Sequence, residues 1–238
     1  MELFFEKYEN DIIYENELST DKYNLYTLKY LFGFSCLNLI GYFLLYYFLE
    51  WNNVFRNLNF NKQLYIIKNI NKSFFLAFIF LNGTIRLIYS VLYNEYDMNL
   101  IRYYGGIYVS CDLVALLVVP NLPKTTKIHH YSTLFLLSIV ANYDANDTPV
   151  VKLICIYTMF SYFAFLVNFY LGVRFFEIEE SENSYQIIIN NVIDKVRVLA
   201  YYNYLLCCVF NWSIHIYYIF NMILSGSLNL MIIIYIMF

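Results

Sequence analysis

Residues 26–49, YTLKYLFGFSCLNLIGYFLLYYFL, decide the fold of this chain. The stretch contains one charged side chain, Lys29, in 24 residues. A helix needs about 20 mostly apolar residues to cross the hydrocarbon core of a bilayer, so this stretch predicts a membrane-spanning helix. It follows a polar, acidic segment, residues 1–25, which lacks the basic start and small-residue cleavage site of a secretory signal. We therefore expect the first span to stay in the mature protein.

The rest of the chain repeats this pattern. Of the 238 residues, 61% are hydrophobic and 14% are charged, whereas soluble domains carry about 25% charged residues. We predict an all-α, polytopic membrane helix bundle with about six transmembrane helices, forming a single domain over residues 26–238. The apolar tail at 227–238 is short for a span, and we expect a frayed extension or an interfacial segment there. The predicted spans are residues 26–49, 73–93, 102–120, 128–143, 150–169 and 198–224.

The distribution of Lys and Arg predicts the orientation of these spans, because translocation of positive charge is disfavoured. The loops after the first and third predicted spans and the region after the fifth carry nine Lys and Arg residues. The opposite side carries five, among them Lys7, Lys22 and Lys152. This bias predicts that both termini lie outside and that the loop at 121–127 faces the cytosol.

Several functional classes are disfavoured by the sequence. A net charge of −3 without a basic cluster argues against nucleic acid as a partner. The five cysteines show no CxxC spacing, and three histidines are too few for a two-metal membrane oxygenase, so we predict no metal and no cofactor. Nucleophile-elbow, HExxH and phosphate-loop motifs are missing. The Gly105–Gly106 pair is expected to be a close-packing position between helices.

Three ionisable side chains, Arg86, Asp112 and His215, lie inside predicted spans. Such groups are costly in a membrane and usually face the bundle interior, where they pair. Counting 1.5 Å per residue from the cytosolic ends, Arg86 and Asp112 differ in depth by roughly 8 Å, within reach of their side chains. We predict an Arg86–Asp112 ion pair, which either orders the helices or binds polar lipid groups.

Two adjacent histidines, His129 and His130, open the fourth predicted span in the stretch KIHHYSTLFLLSIV. Adjacent helical residues point about 100° apart, so one ring can face the bundle while the other faces head groups. Thr133 follows at helical spacing and can exchange a hydrogen bond with an imidazole. The pattern leaves open whether the pair is an interfacial anchor or a catalyst, since imidazole titrates near neutrality.

The spacing of these residues resembles the TLC domain family. Asp112 lies in GIYVSCDLVALL, and HHYST follows after seventeen positions. The likeness extends to FAFLVNFYLGVRFF, where small members of the family carry an Asn and an Arg, and it covers about residues 55–220. The family includes ceramide synthases and smaller members tied to lipid sensing or to membrane lipid composition.

The resemblance implies a membrane protein that binds lipids or influences lipid composition. The expected location is the endoplasmic reticulum or another intracellular membrane. The alternative is an N-acyltransferase of ceramide-synthase type that takes acyl-CoA, with His129 or His130 as general base and Asp112 orienting it. Ceramide synthases carry an acidic cluster on the span after the histidines, but residues 150–170 contain no Asp or Glu. A transporter or channel is a third possibility. The expected lipid-binding interior consists of Arg86, Thr133, Asn168 and His215 beside the histidines and Asp112.

Overall fold

The computed structural model describes residues 2–178 and 184–225 of the chain, and this part is helical throughout, joined by short turns. The predicted tail at 227–238 lies outside the described residues. The helices are α1 (Glu2–Leu49), α2 (Asn53–Arg56), α3 (Phe60–Tyr93), α4 (Met98–Val118), α5 (Lys124–Asn142), α6 (Pro149–Ser161), α7 (Phe165–Val173) and α8 (Ser184–Leu224), with 3₁₀ turns at Tyr162–Ala164 and Arg174–Phe176.

Five segments are long and apolar enough to cross a membrane. They coincide with five of the six predicted spans, so the predicted all-α membrane bundle is confirmed. The polar segment before the first span continues into it as one helix, α1. The five segments are Leu25–Leu49, Phe60–Tyr93, Met98–Val118, Pro149–Phe176 and Ser184–Leu224.

Helix α5, which contains the fourth predicted span, is not among these five, because its first ten residues, KTTKIHHYST, are mostly polar. It nevertheless lies antiparallel beside α4. The Thr133 hydroxyl donates to the Asp112 carboxylate near one end of this helix pair. Arg102 Nε donates to Val140 O near the other end, at 3.2 Å. Helix α5 therefore passes through the same layer as α4, with His130 and Thr133 buried between the helices, while Lys124, Lys127 and His129 stay exposed.

Local sequence signals set the helix ends that shape the bundle. Helix α3 ends at Asn94, whose φ of 57° is left-handed, a conformation that Asn tolerates better than most residues. Asp97 then caps α4 by accepting hydrogen bonds from the amides of Asn99 and Leu100. Pro149 begins α6, where its missing N–H costs no helical hydrogen bond.

Close helix approaches bring these elements together. A Cβ on Gly106 of α4 would lie 2.9 Å from Tyr30 Cβ of α1, so this glycine is a close-packing position, as predicted for the Gly105–Gly106 pair. Gly172 of α7 similarly meets Ile66 and Ile70 of α3. The end of α7 therefore lies beside the start of α3, at one end of the bundle. We call this the basic end, after its lysines Lys62, Lys68, Lys72, Lys124 and Lys127.

The outer surface of the bundle is apolar. Phe32 and Phe43 on α1 and Trp212 on α8 are examples of large side chains that are mostly exposed. A soluble protein rarely exposes rows of such side chains, whereas lipid accommodates them. The interior between α3, α4 and α6 is packed with buried apolar side chains such as Leu76 and Ile107. Polar groups lie instead between α1, α3, α4 and α5, toward the basic end.

Candidate functional site

Asp112 of α4 is the centre of a buried polar cluster. Its side chain is fully buried, and its carboxylate has partners on both neighbouring helices. Oδ1 accepts a charge-assisted hydrogen bond from Lys72 Nζ of α3 and lies 3.0 Å from His130 Nδ1 of α5. Oδ2 accepts from Thr133 Oγ1 at 2.8 Å. We call Lys72, Asp112, His130 and Thr133 the Asp112 cluster; it links three helices.

Asp112, His130 and Thr133 lie together, but the Thr133 hydroxyl donates to the Asp112 carboxylate and not to an imidazole, the partner that the sequence suggested. Thr133 lies three residues after His130, on the same face of α5, and its hydroxyl also contacts His130 O at 2.9 Å. His129 is exposed, and its ring lies beside that of His130, with the two ring centroids 5.6 Å apart. The histidine pair therefore divides as predicted from helical geometry, with one ring inside and one outside.

His130 is buried to 97%, yet its ring nitrogens are poorly satisfied. Nδ1 is near Asp112 Oδ1 by distance but lies outside hydrogen-bonding geometry. Nε2 has no hydrogen-bond partner within the part of the chain that the structure describes. Since buried polar atoms are nearly always paired, an unpaired Nε2 marks a position where a ligand or water can donate or accept a hydrogen bond.

Two buried lysines of α3 complete the site, and neither was predicted from the sequence as a functional residue. Lys72 is 8% exposed, and its ammonium lies over the Tyr108 ring, 4.8 Å from the centroid, as well as on Asp112. Lys68, one turn earlier, is 7% exposed and lies over the Tyr65 ring at 5.2 Å. Their signal in the sequence is the four-residue spacing in LYIIKNINKSFF, residues 64–75, which places both on one helix face.

A second polar layer attaches α1 to the site. The side-chain amide of Asn38 donates to Ser110 Oγ at 2.8 Å, and Asn71 donates to Asn38 Oδ1 at 2.8 Å. Asn38 and Ser110 are completely buried. This chain of hydrogen bonds crosses from α3 through α1 to α4, one turn or less from Lys72 and Asp112. The neighbouring Gly41 leaves room for the Asn71 side chain.

The predicted Arg86–Asp112 ion pair is wrong. Asp112 pairs with Lys72, and Arg86 is exposed. Arg86 lies fourteen residues after Lys72 on α3, which corresponds to about 21 Å along the helix axis. The prediction failed because it began the second span at residue 73 and so assigned Lys72 to a loop. Helix α3 begins at Phe60, and the surrounding helices shield Lys68 and Lys72.

The other two predicted interior residues lie apart from the Asp112 cluster in their contacts. Asn168 is half-buried on α7, and its amide nitrogen donates to Ala164 O of the same helix at 3.0 Å. His215 is half-buried on α8. No hydrogen bond joins either side chain to the Asp112 cluster in the described ranges.

Asp112, His129 and His130 are residue types that can also bind a metal ion. One ligand atom each from Asp112, His129 and His130 lie within 4.8 Å of one another. However, both carboxylate oxygens of Asp112 are already engaged, one by the Lys72 ammonium and the other by Thr133. A cation at this position would also meet the repulsion of two buried lysines, so the arrangement fits an ion pair better than a metal centre.

A small cavity adjoins the site, and Tyr108, whose ring contacts Lys72, forms part of its wall. Its volume is about 40 Å³, and apolar and aromatic side chains dominate its walls, including Ile79, Leu87, Tyr104 and Tyr162. This space holds a few water molecules but not an acyl chain. A lipid chain at this site would therefore lie along the outer helix surfaces unless the helices move apart.

The comparisons with known proteins add no relative to these observations. Protein-family models, curated proteins and solved structures give no match to this chain.

Proposed function

We propose that this chain is a TLC-type integral membrane protein that binds a membrane lipid, with the polar part of the lipid at the Asp112 cluster. The observation that carries the proposal is the buried, unpaired Nε2 of His130 beside the Lys72–Asp112 ion pair. The proposed location is the endoplasmic reticulum or another intracellular membrane. Imaging a fluorescent fusion beside organelle markers tests that location.

Burial of the charged groups of the Asp112 cluster costs free energy. Removing ions from water costs several kcal/mol each, and a buried pair recovers this only when its remaining hydrogen-bonding positions are filled. Well-packed apolar residues could join α3, α4 and α5 at lower cost. A cluster with an open imidazole nitrogen is therefore better explained by recognition of a polar group than by helix packing alone.

Lipid analysis of the purified protein tests this proposal. Full-length wild type in mild detergent should retain a specific lipid that mass spectrometry identifies, and His130→Ala should lose it. His215→Ala is the matched control, because it removes another half-buried imidazole on a different helix. Retention of the same lipid at the same stoichiometry by His130→Ala would contradict the proposal.

A second candidate function, N-acyl transfer, is favoured by the contact between Asp112 and His130. The Asp112 carboxylate lies 3.0 Å from Nδ1, on one side of the imidazole, and Nε2 is left for general-base catalysis. Nε2 would remove the proton from an amine substrate while the amine nitrogen attacks the thioester carbonyl of an acyl-CoA. An amide bond forms, the C–S bond breaks, and the proton passes to the leaving thiolate. The Lys72 ammonium weakens this reading, because it already neutralises Asp112.

An activity assay separates the two functions. The purified protein is incubated with an acyl-CoA and a long-chain base, and the amide product is measured by mass spectrometry. Product from wild type and His215→Ala, but not from His130→Ala, would establish acyl transfer. Lipid retention without product supports the binding function.

A further inference from the structure

The buried charges at the basic end do not balance. Lys68 and Lys72 carry two positive charges, and Asp112 carries one negative charge. Lys72 uses Asp112, whereas Lys68 lies over the Tyr65 ring and has no carboxylate within ion-pair distance among the residues described. With neutral histidines, the site therefore has one excess positive charge.

Lys68 is placed to act on the same ligand as the Asp112 cluster. It lies one helical turn from Lys72, on the same face of α3, and it is buried like Lys72. Lys68 as a residue is only 7% exposed, so its ammonium has limited access to water, and an aromatic ring compensates for only a small part of the lost hydration free energy. A bound anion would supply the missing counter-charge.

From this imbalance we infer that the site takes a lipid with a monoanionic head group, either the carboxylate of a fatty acid or the phosphodiester of an acidic phospholipid. This inference rests on the proposed lipid-binding function and adds the charge of the ligand and the residue that selects it. Lys68 binds the anionic oxygens, and His130 Nε2 makes a further hydrogen bond.

The test uses full-length protein stripped of lipid in a neutral detergent. Three lipid probes are added separately: phosphatidylglycerol and oleate, which carry one negative charge, and phosphatidylcholine, which is neutral overall. Inorganic phosphate is the fourth probe and separates a lipid site from a general anion site. Binding is measured by native mass spectrometry and by the shift in Tm on titration.

The informative variant is Lys68→Met, which keeps most of the side-chain length and removes the charge. Lys68→Arg keeps the charge, and Lys62→Met removes an exposed lysine from the same helix as a matched control. Wild type should bind phosphatidylglycerol or oleate at least tenfold more tightly than phosphatidylcholine. Lys68→Met should lose this preference, whereas Lys68→Arg and Lys62→Met should keep it. If Lys68→Met does not fold, Lys68→Gln replaces it.

The Tm of the lipid-free protein separates a binding role from a structural one. Removing an unpaired buried cation should leave that Tm unchanged or raise it, whereas loss of a structural lysine would lower it. An unchanged lipid preference in Lys68→Met overturns the inference, as does inorganic phosphate binding as tightly as the anionic lipids. Lipid binding that depends on His130 but not on Lys68 would leave the proposed function intact; absence of any lipid binding would refute both.

Discussion

Asp112→Asn should strongly destabilise the protein. The substitution keeps the shape of the side chain and a hydrogen-bond acceptor for Thr133, but it removes the negative charge that Lys72 contacts. Two buried lysines then remain without a carboxylate. Breaking a buried ion pair by removing one partner typically costs about 3–5 kcal/mol. For a chain of this size, 1 kcal/mol corresponds to about 2–4 °C in Tm, so we expect a decrease of about 6–20 °C.

The measurement is thermal unfolding of lipid-free protein in detergent, followed by circular dichroism. Asp97→Asn is the matched control, because it makes the same chemical change at an exposed position that caps α4. Asn caps helices about as well as Asp, so the control should unfold at the wild-type temperature. A Tm of Asp112→Asn within about 2 °C of wild type would refute the reasoning.

A double-mutant cycle then tests whether the loss of stability comes from the Lys72–Asp112 ion pair. Lys72→Met alone should also destabilise, because Asp112 keeps only His130 and Thr133 as partners. The double variant Lys72→Met/Asp112→Asn should lose less stability than the sum of the two single changes, with a coupling of at least about 1.5 kcal/mol. Additive effects would mean that the contact contributes nothing of its own.

Two further predictions concern the packing around the site. Thr133→Val removes the hydroxyl that donates to Asp112, and thermal unfolding should show a loss of stability of about 1–3 kcal/mol. Thr133→Ser keeps a hydroxyl and should retain most of the stability. Equal losses in the two variants would contradict a hydrogen-bond role. Gly106→Ala places a methyl group 2.9 Å from Tyr30 Cβ and should cost about 1–3 kcal/mol, while Gly33→Ala, which meets nothing within 4 Å, should not destabilise; similar Tm values for the two variants would disprove the close approach.

Much of the fold was accessible from the sequence because lipid imposes a simple requirement. Apolar stretches of spanning length predict helices directly, and five of them coincide with helices of the structure. The paired faces of α4 and α5 were also predictable, since helical spacing places His130 and Thr133 together. The ion-pair partner of Asp112 was not predictable, because hydropathy places the start of the second span at residue 73, whereas α3 begins at Phe60. Lys68 and Lys72 were therefore assigned to a loop, and Arg86 was left as the only cation for Asp112.

The buried polar side chains of α5 and α3 share one partner on α4. Helix α5 buries His130 and Thr133, and α3 buries Lys68 and Lys72. Lys72, His130 and Thr133 all contact the single carboxylate of Asp112. One carboxylate cannot neutralise two lysines, and this imbalance is the basis of the proposed anionic ligand. Because the site lies toward the basic end, a lipid head group can supply that anion while its chains remain in the membrane.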